Sequence, residues 1–404
     1  WHDPLRWEKE RQEQFPGSQA FWTLCSQIHK SNWSFVDRDP ILPVRNVWDL
    51  SQLIRAIRPA NLLTGVFSKL TIADLLTITG CQKDRRLRRF LDLQLKLYSQ
   101  ESASRTAALY GATVLQMAQS PRGLWHLHGS MQILSDLLKN SFIRDGGTLL
   151  IGHRVTKIVN EKNSNIFEIN VINKKKNLIN LNASDVIFSL PPQSLLDLIP
   201  IDGGLPKKYR ERINQLPKPS GAIVFYGALT RSDLPVNCPG HIQIFDEHFG
   251  SLFISISMEE DQRAPFGIAT LIASIFVDVD QWSNLDSQSY TNKKNNVAKQ
   301  IIAIINKQLE LAETCWIHQE LSTPKSFERW TGRPGGIVGG LGQHPSQFGP
   351  FGLSSRTPLK GLWLCGDSIY PGEGTAGVSQ SAMMAVRQLM ERKGRYLNIP
   401  LFNK

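Results

Sequence analysis

Apolar residues recur at helical spacing through the first part of the chain. The stretch WEKERQEQFPGSQAFWTLCSQIHK reads as two amphipathic helices that separate at Pro16-Gly17, with Ser18 as the N-cap of the second. A further run, from Leu62 to Ile78, is apolar on most faces and is predicted to be a helix that ends at Gly80. Another helix is predicted for RRFLDLQLKLYSQ, so residues 1–118 are expected to be mostly helical.

The pattern changes after residue 118. SMQILSDLLKNSFIRDGG predicts an amphipathic helix that Gly146 caps. Its apolar face is predicted to hold Met131, Leu134, Leu137, Leu138 and Phe142. TLLIGHRVTKIVN then predicts a strand, and IFEINVINKKKNLINLNASDVIFSL predicts a hairpin and a short buried strand that ends at Pro191-Pro192. This order of elements is typical of an α/β layer.

Strands dominate the next segment. GAIVFYGAL, HIQIFD, SLFISISM and GIATLIASIFVDV each have strand-like composition. They precede a long amphipathic helix, with Val297, Ile301, Ile304, Ile305 and Leu309 predicted to face inward. Four strands followed by a helix indicate a separate mixed-sheet domain. The glycine-rich run over residues 332–342 is predicted to be a loop.

The C-terminal region contains glycines in the G-x-G-x-x-G spacing, at Gly372, Gly374 and Gly377. A dinucleotide fingerprint would need a second strand and an acidic residue about 20 positions later, and the chain has neither. The pattern still predicts a strand over Leu362–Cys365, a loop and then a helix from Val378, with Ala382, Ala385, Val386 and Leu389 on its inner side. Such a helix N-terminus offers N–H groups and a dipole to an electron-rich group.

Charge and cysteine content narrow the class of protein. The 404 residues carry a formal net charge of +11 in scattered short clusters, and no nucleic-acid motif accompanies them. These clusters are either an ordinary solvated surface or a surface that suits an anionic ligand or a membrane. The five cysteines lack metal or disulfide spacing, and the pair His126 and His128 has no third ligand, so no metal site is predicted. The longest apolar run is about half of the roughly 20 residues that a membrane-spanning helix needs.

Several of these segments resemble one family of flavoproteins. GLWLCGDSIYPGEGTAGVSQSA is similar to the C-terminal flavin motif of the phytoene desaturase and carotene isomerase family, within the amine-oxidase-like group. TPKSFERWTGRPGGIVGG, GLWHLHGSMQILSDLL and GGTLLIGHRVTKIV also resemble that family. FPGSQAFW and RRFLDLQLKLYSQ are most similar to its cyanobacterial carotenoid 3',4'-desaturase branch.

The resemblance implies FAD as the cofactor and assigns residues to it. Asp367 would hydrogen-bond the ribityl chain, and Gly366 would let the backbone come close. Gly377 and Val378 would open a helix whose N-terminus faces the flavin and favours its anionic reduced form. Val155 would contact the adenine through its backbone, or else it is an ordinary strand residue. No catalytic acid or base is assigned; Glu373 is either a surface residue or one that contacts substrate or water.

The family also implies a fold and a division of the chain. We expect a two-domain α/β FAD-dependent oxidoreductase with a Rossmann-like FAD domain and a substrate domain of mixed sheet and helices. Residues 1–118 would be the helical, membrane-facing part of the substrate domain and 201–345 its sheet, while 119–200 and 346–404 would belong to the FAD domain. The family's opening βαβ unit does not occur among these residues, which begin at Trp1, so this chain by itself is expected to be inactive.

The predicted function is desaturation of a carotenoid end group at C-3',4', with hydride transfer to flavin. The alternatives are a flavin-dependent carotenoid isomerase, a non-catalytic carotenoid-binding remnant and, disfavoured, an amine oxidase. A quinone or oxygen would reoxidise the flavin. A lipid substrate implies a peripheral protein on the cytoplasmic side of a membrane, for example the thylakoid or plasma membrane of a cyanobacterium. The basic clusters and the apolar run from Leu62 to Ile78 would then contact that membrane.

Overall fold

The computed structural model describes residues 3–117, 127–160 and 165–396. Contacts divide the chain into two compact units, each built from separated segments. The first unit contains Trp1–Gly123, Gly152–Pro219 and Gly339–Lys404, and the second contains Leu124–Ile151 and Ser220–Val338. The four-segment functional division remains a prediction.

Helices and strands occur in both units. The helices of the first unit are α1 (Pro4–Gln14), α2 (Gln19–Val36), α3 (Val47–Ala56), α4 (Pro59–Gly65), α5 (Ile72–Ile78), α6 (Arg85–Ser99), α7 (Ala108–Met117), α9 (Ser194–Leu198), α10 (Lys207–Asn214) and α14 (Gly374–Arg392), and those of the second are α8 (Gln132–Arg144), α11 (Asp280–Ser283), α12 (Ser287–Leu309) and α13 (Pro324–Thr331). The strands of the first unit are β1 (His153–Asn160), β2 (Phe167–Asn173), β3 (Leu178–Ala183), β4 (Val186–Phe188) and β10 (Leu362–Leu364), and those of the second are β5 (Gly221–Thr230), β6 (His241–Asp246), β7 (Gly250–Ile256), β8 (Ile268–Val277) and β9 (Trp316–Ser322).

The N-terminal region is helical, as the periodicity predicts. Helices α1 and α2 separate at Pro16-Gly17, and Ser18 occupies the N-cap of α2. The Ser18 hydroxyl does not cap the helix, because it donates to the Phe15 carbonyl oxygen instead. Buried side chains of α2, α5, α6 and α7 share one apolar core.

The apolar run from Leu62 to Ile78 is not one helix. Helix α4 passes into a 3₁₀ turn at Val66–Lys69, and α5 starts only after Thr71. The restart has a local cause: the Thr71 hydroxyl accepts from the Asp74 amide, and the Asp74 carboxylate accepts from the Thr71 amide, which is a capping box. Helix α5 buries Ile72, Leu75 and Leu76 in the core, whereas Ile78 at its end is exposed.

The first unit contains two small sheets. Strands β1, β2 and β3 form an antiparallel meander, and the predicted polar Asn-Lys turn joins β2 to β3. Strand β4 pairs in parallel with β10, although 173 residues separate Phe188 from Leu362 along the chain (362 − 188 − 1). This pairing places the predicted C-terminal strand beside the buried strand of the middle segment.

Helix α8 forms where the pattern predicts, but its apolar face is not packed. Gly146 follows its C-cap with a φ of +87°, as expected for a glycine that ends a helix. No residue of α8 is buried against the described part of the chain. Met131, Leu137, Leu138 and Phe142 are exposed, and Leu134 is half-buried. The predicted amphipathic helix is therefore present, but no described element covers its apolar residues.

The second unit is a five-stranded antiparallel sheet with helix α12. The strand order is β6-β7-β8-β5-β9, and all four predicted strands of this segment are present. Helix α12 buries Val297, Ile301, Ile305 and Leu309 in the core beside the sheet, and Ile304 is half-buried there. The inward face predicted for this helix is confirmed.

Candidate functional site

The candidate site begins where the parallel pair β4 and β10 ends. Leu362, Trp363 and Leu364 pair in register with Val186, Ile187 and Phe188. The Cys365 amide extends the ladder by donating to the Phe188 carbonyl oxygen over 3.0 Å. In α/β sheets, ligands bind outside the carboxyl ends of such strands. Gly366 and Asp367 follow immediately, so the predicted loop starts at that edge.

Gly366 turns the chain away from the strand. Its φ is +109°, a conformation that favours glycine. Its amide donates to the Ser381 hydroxyl oxygen over 2.7 Å, and this hydroxyl lies 3.1 Å from both the Gly366 and the Val378 carbonyl oxygens. Ser381 thus joins two of the predicted site residues. Sequence reasoning missed it, although a small polar residue on the inner side of a helix was a usable signal.

Helix α14 starts earlier than the pattern predicts. It begins at Gly374, with Glu373 as N-cap, and not at Gly377 or Val378. Gly377 lies in the first turn of the helix. The backbone of the preceding loop approaches it closely, and a Cβ atom there would be 2.3 Å from the Gly372 carbonyl oxygen. Gly374, Thr375 and Ala376 are exposed.

The inner face of α14 also differs from the prediction. Its buried residues are Ser381, Met384, Ala385 and Gln388, whereas Ala382, Val386 and Leu389 are half-buried. Polar side chains lie inside because they have partners there, Ser381 at Gly366 and Gln388 at Asp49. Apolar periodicity does not detect such positions.

Glu373 holds the start of α14 to two other segments. Its Oε1 atom accepts from the Gly340 amide over 3.1 Å and from the Gln100 side-chain amide over 2.6 Å. Gln100 itself ends helix α6 with a φ of +60°. This carboxylate therefore does not cap α14, and the N–H groups of the first turn receive no side-chain cap from it. Glu373 therefore holds protein segments together, a role that was not among the alternatives considered for it from the sequence.

The Gly340 backbone packs against Asp367. A Cβ atom on Gly340 would lie 2.3 Å from the Asp367 carbonyl oxygen. The predicted glycine-rich loop thus supports the strand-end loop from one side, while Ser381 supports it from the other. Asp367 is half-buried at this position.

Val155 lies elsewhere in the first unit. It is 37% exposed on strand β1, opposite Val171 and beside a register shift between Val155 and Lys157. Strand β1 belongs to the antiparallel meander, whereas the other four predicted residues follow β10. The structure brings Gly366, Asp367, Gly377 and Val378 into one corner and leaves Val155 on a different sheet.

Buried charges fix the other end of α14. Asp49 of α3 is fully buried, and its carboxylate accepts from Arg356 Nε at 3.1 and 3.2 Å and from Gln388 Nε2 at 3.1 Å. Arg356 also reaches Glu391 over 2.8 Å. Removal of one member of a buried ion pair is strongly destabilising, because the other charge is left buried without its partner. Sequence reasoning did not detect this group, since Asp49 is more than 300 residues from Arg356 and Gln388 along the chain.

Titratable groups beside the loop are held in their neutral forms. Burial raises the pKa of the Cys365 thiol and of the Tyr370 phenol. Burial, and then the charge of Glu373, raises the pKa of Tyr110. None of these three groups provides a base at neutral pH, in line with the absence of an assigned acid or base in the sequence analysis.

The described residues contain no group of three or more His, Cys, Asp or Glu side chains that could bind a metal. His126 lies outside the described residues, so its pairing with His128 has no structural description here. Within the same described ranges, no helix is long and apolar enough to cross a membrane.

Known proteins similar to this chain include carotenoid isomerases and amine oxidases. It is 29% identical to the chloroplastic prolycopene isomerase of Arabidopsis thaliana over 164 residues, which cover 39% of this chain and 27% of that protein. It is 23% identical to prolycopene isomerase 2 of an Oncidium hybrid cultivar over 332 residues, 80% of this chain and 55% of that protein. The structure of cyclohexylamine oxidase from Brevibacterium oxydans matches with a TM-score of 0.53 and 14% identity, over 92% of this chain and 75% of that one. No protein-family model matches.

These similarities confirm two predictions. The chain resembles the prolycopene isomerases in sequence, and its fold resembles that of cyclohexylamine oxidase, as expected for a two-domain α/β fold. The chain spans about half the length, or less, of the prolycopene isomerases that it matches. The cyanobacterial branch and the individual site residues stay predictions.

Proposed function

We propose that this protein is a FAD-dependent enzyme that modifies a carotenoid. One observation carries the proposal: a parallel strand pair leads through left-handed Gly366 to an exposed helix N-terminus, in a chain related to prolycopene isomerases. FAD is the cofactor implied by the family resemblance and by this fold.

The residues present fit such a cofactor. The first turn of α14 is exposed, and within the described residues its N-cap side chain makes no capping bond, so its N–H groups and dipole suit an electron-rich ring edge. Gly366 and Asp367 would hold the ribityl chain, and Val155 would meet the adenine. When bound, the flavin would accept a hydride from the substrate.

Two reactions agree with this site. Desaturation at C-3',4' removes a hydride and a proton from neighbouring carbons, whereas isomerisation makes no net redox change. We favour desaturation on the resemblance of the N-terminal segments. Isomerisation is the second candidate because the related proteins are named prolycopene isomerases. In both cases, the chain would recognise a hydrocarbon mainly by burying apolar surface, at about 25 cal/mol per Å².

The carotenoid substrate also shapes the proposal about location. Because carotenoids partition into lipid, we propose a peripheral protein on the cytoplasmic side of a membrane. A membrane quinone or oxygen would be the final electron acceptor of the desaturase.

In the family that the chain resembles, a βαβ unit holds the ADP half of FAD, and residues 1–404 do not include that unit. We expect the chain to retain FAD only in a longer form, in which such a βαβ unit is joined to its N-terminus. Failure to bind FAD in that longer form would favour the non-catalytic carotenoid-binding remnant.

Product mass tests the proposed reaction. The longer form is loaded with FAD and incubated with a monocyclic or acyclic carotenoid and a quinone. A product lighter by two hydrogens that absorbs at longer wavelength is expected for the desaturase. An unchanged mass with altered chromatographic retention would assign the isomerase. A protein that holds FAD and yields no product from either carotenoid class would overturn the substrate assignment and leave the cofactor assignment standing.

A further inference from the structure

Helix α3 presents its apolar side chains to solvent and its polar ones to the protein. Asp49 and Gln52 are buried. Val47, Leu50 and Ile54, on the other side of the helix, are exposed. In a surface helix of a water-soluble protein the opposite arrangement is usual.

Helix α4 follows across two residues and has the same inverted arrangement. Its inner side is polar: Asn61 Nδ2 donates to the Ser31 carbonyl oxygen over 2.8 Å, and the Thr64 hydroxyl lies 2.7 Å from that of Ser31. Its outer side is apolar, with Leu62 65% exposed and Leu63 76% exposed. Since the polar contacts to α2 hold α4 in this orientation, the leucines cannot turn inward.

Within α4 and the segments that flank it, the charged side chains have one sign. Arg55, Arg58 and Lys69 are exposed, and residues 50–73 contain no Asp or Glu. The nearest carboxylate before this stretch, Asp49, is buried against Arg356 and does not offset the surface charge. The next one, Asp74, accepts from the Thr71 amide and is half-buried.

We propose that the outer side of α3 and α4 is the surface by which this protein docks on an anionic lipid bilayer. The docking surface consists of Val47, Leu50, Ile54, Leu62, Leu63 and Val66, flanked by Arg55, Arg58 and Lys69. This composition matches that of an interfacial helix. Its apolar side chains would enter the boundary of the acyl chains, and its arginines would contact lipid phosphates. The polar inner sides stay against the protein and need no lipid contact.

A lipid occupant accounts for both features together. A protein partner or a second copy would cover the apolar side chains but would not by itself require that residues 50–73 carry basic side chains and no carboxylates. The choice of lipid over protein also rests on the proposed carotenoid substrate. The docking surface is therefore an extension of the proposed function. The test below uses neither flavin nor carotenoid, so its outcome is separate from that of the product-mass experiment.

Co-sedimentation with vesicles tests the docking surface. The 404-residue chain is mixed with vesicles of phosphatidylcholine alone, or of equal parts phosphatidylglycerol and phosphatidylcholine, at low salt. We expect binding to the anionic vesicles only. Leu62→Ser with Leu63→Ser is expected to weaken this binding by about tenfold or more. Arg55→Gln with Arg58→Gln is expected to weaken it by roughly fivefold per arginine, an effect that high salt removes.

Matched variants elsewhere in the chain provide the controls. Leu137→Ser with Leu138→Ser changes a leucine pair of almost equal exposure, 62% and 73%, on α8. Lys207→Gln with Lys208→Gln removes two exposed charges on α10. Both controls are expected to keep vesicle binding within about twofold of the unaltered chain. Circular dichroism checks that every variant folds.

Three results would overturn the proposal. One is an equal loss of vesicle binding in the α8 leucine variant and in the α4 leucine variant, which would indicate nonspecific hydrophobic adsorption. Another is that the unaltered chain stays in solution when it is mixed with anionic vesicles at low salt. The third is a dimer that Leu62→Ser with Leu63→Ser dissociates in the absence of any vesicle binding, which would assign the surface to a second copy.

Discussion

At the scale of single residues, the backbone at Gly377 leaves no room for a side chain. A Cβ atom there would lie 2.3 Å from the Gly372 carbonyl oxygen, which belongs to the loop just before the helix. The same loop begins at Gly366 and Asp367, which Ser381 and Gly340 contact from two sides. The loop therefore has little freedom to move away from an added side chain. The shape of the candidate flavin loop therefore depends on this glycine.

Gly377→Ala is expected to lower the free energy of unfolding by about 1–3 kcal/mol, because the added methyl group forces the Gly372 carbonyl away. Urea denaturation measures the change. Gly65→Ala is the matched control: Gly65 has an ordinary helical φ of −58° and open space around it, so alanine there should leave stability unchanged or raise it by up to about 1 kcal/mol. Equal effects at the two positions would contradict the steric argument.

Asp49 is a second residue with a defined energetic role. Asp49→Ala removes the carboxylate that pairs with Arg356 and Gln388, and it leaves a nearly buried guanidinium without this partner. We expect a loss of about 3–5 kcal/mol in the free energy of unfolding. Glu13→Gln, at the exposed pair with Lys9, should cost less than about 1 kcal/mol in the same denaturation experiment. A similar small cost at Asp49 would mean that the buried pair contributes little.

At the scale of elements, Glu373 connects three segments that lie far apart in the chain. It joins the N-terminus of α14 to the glycine-rich loop at Gly340 and to the end of α6 at Gln100. The same helix is fixed at its C-terminal half by Arg356 and Gln388 at Asp49. Helix α14 is thereby oriented at both ends by polar contacts and not by apolar packing alone.

Glu373→Ala removes the acceptor of two hydrogen bonds and should destabilise the protein by about 2–4 kcal/mol. Glu373→Gln keeps one side-chain oxygen and should recover at least half of this loss. The longer, FAD-loaded form gives a second readout, since a displaced helix N-terminus should shift the flavin absorption spectrum in the alanine variant. An unchanged spectrum together with unchanged stability would contradict the positioning role.

At the scale of the whole molecule, burial of tyrosines links stability to alkaline pH. Burial raises the pKa of Tyr110, Tyr209 and Tyr370, and that of Tyr209 reaches about 12. All three belong to the first unit. In the unfolded chain these phenols ionise near pH 10, whereas in the folded chain they stay neutral, so unfolding releases protons above pH 10.

Stability of the first unit should therefore be fully present below about pH 10 and should fall between about pH 10 and about pH 12. Tyr209 by itself contributes on the order of 2–3 kcal/mol to this fall. Tyr209→Phe should reduce the pH dependence and leave stability at neutral pH unchanged or higher, because the Tyr209 hydroxyl is buried and makes no hydrogen bond within the described residues. Thermal unfolding followed by tyrosinate absorbance measures both effects; an unaltered pH profile in the variant would contradict them.

Much of the secondary structure could be predicted because it depends on local pattern. The split at Pro16-Gly17, the cap at Gly146 and the strands of the second unit follow from turn residues and from hydrophobic periodicity, which act within a few positions. The resemblance to carotenoid-modifying flavoproteins likewise depends on contiguous motifs, and the sequence similarity to prolycopene isomerases agrees with it.

Other features were decided only by the tertiary structure. Helix α14 starts at Gly374, and Ser381 and Gln388 lie on its inner face, because distant backbone and charged groups complete their hydrogen bonds. Conversely, α3, α4 and α8 have apolar side chains that are exposed to solvent. Periodicity shows that a helix has an apolar face, but it does not show what covers that face. That depends on which distant segments, or which lipid, come to lie beside it.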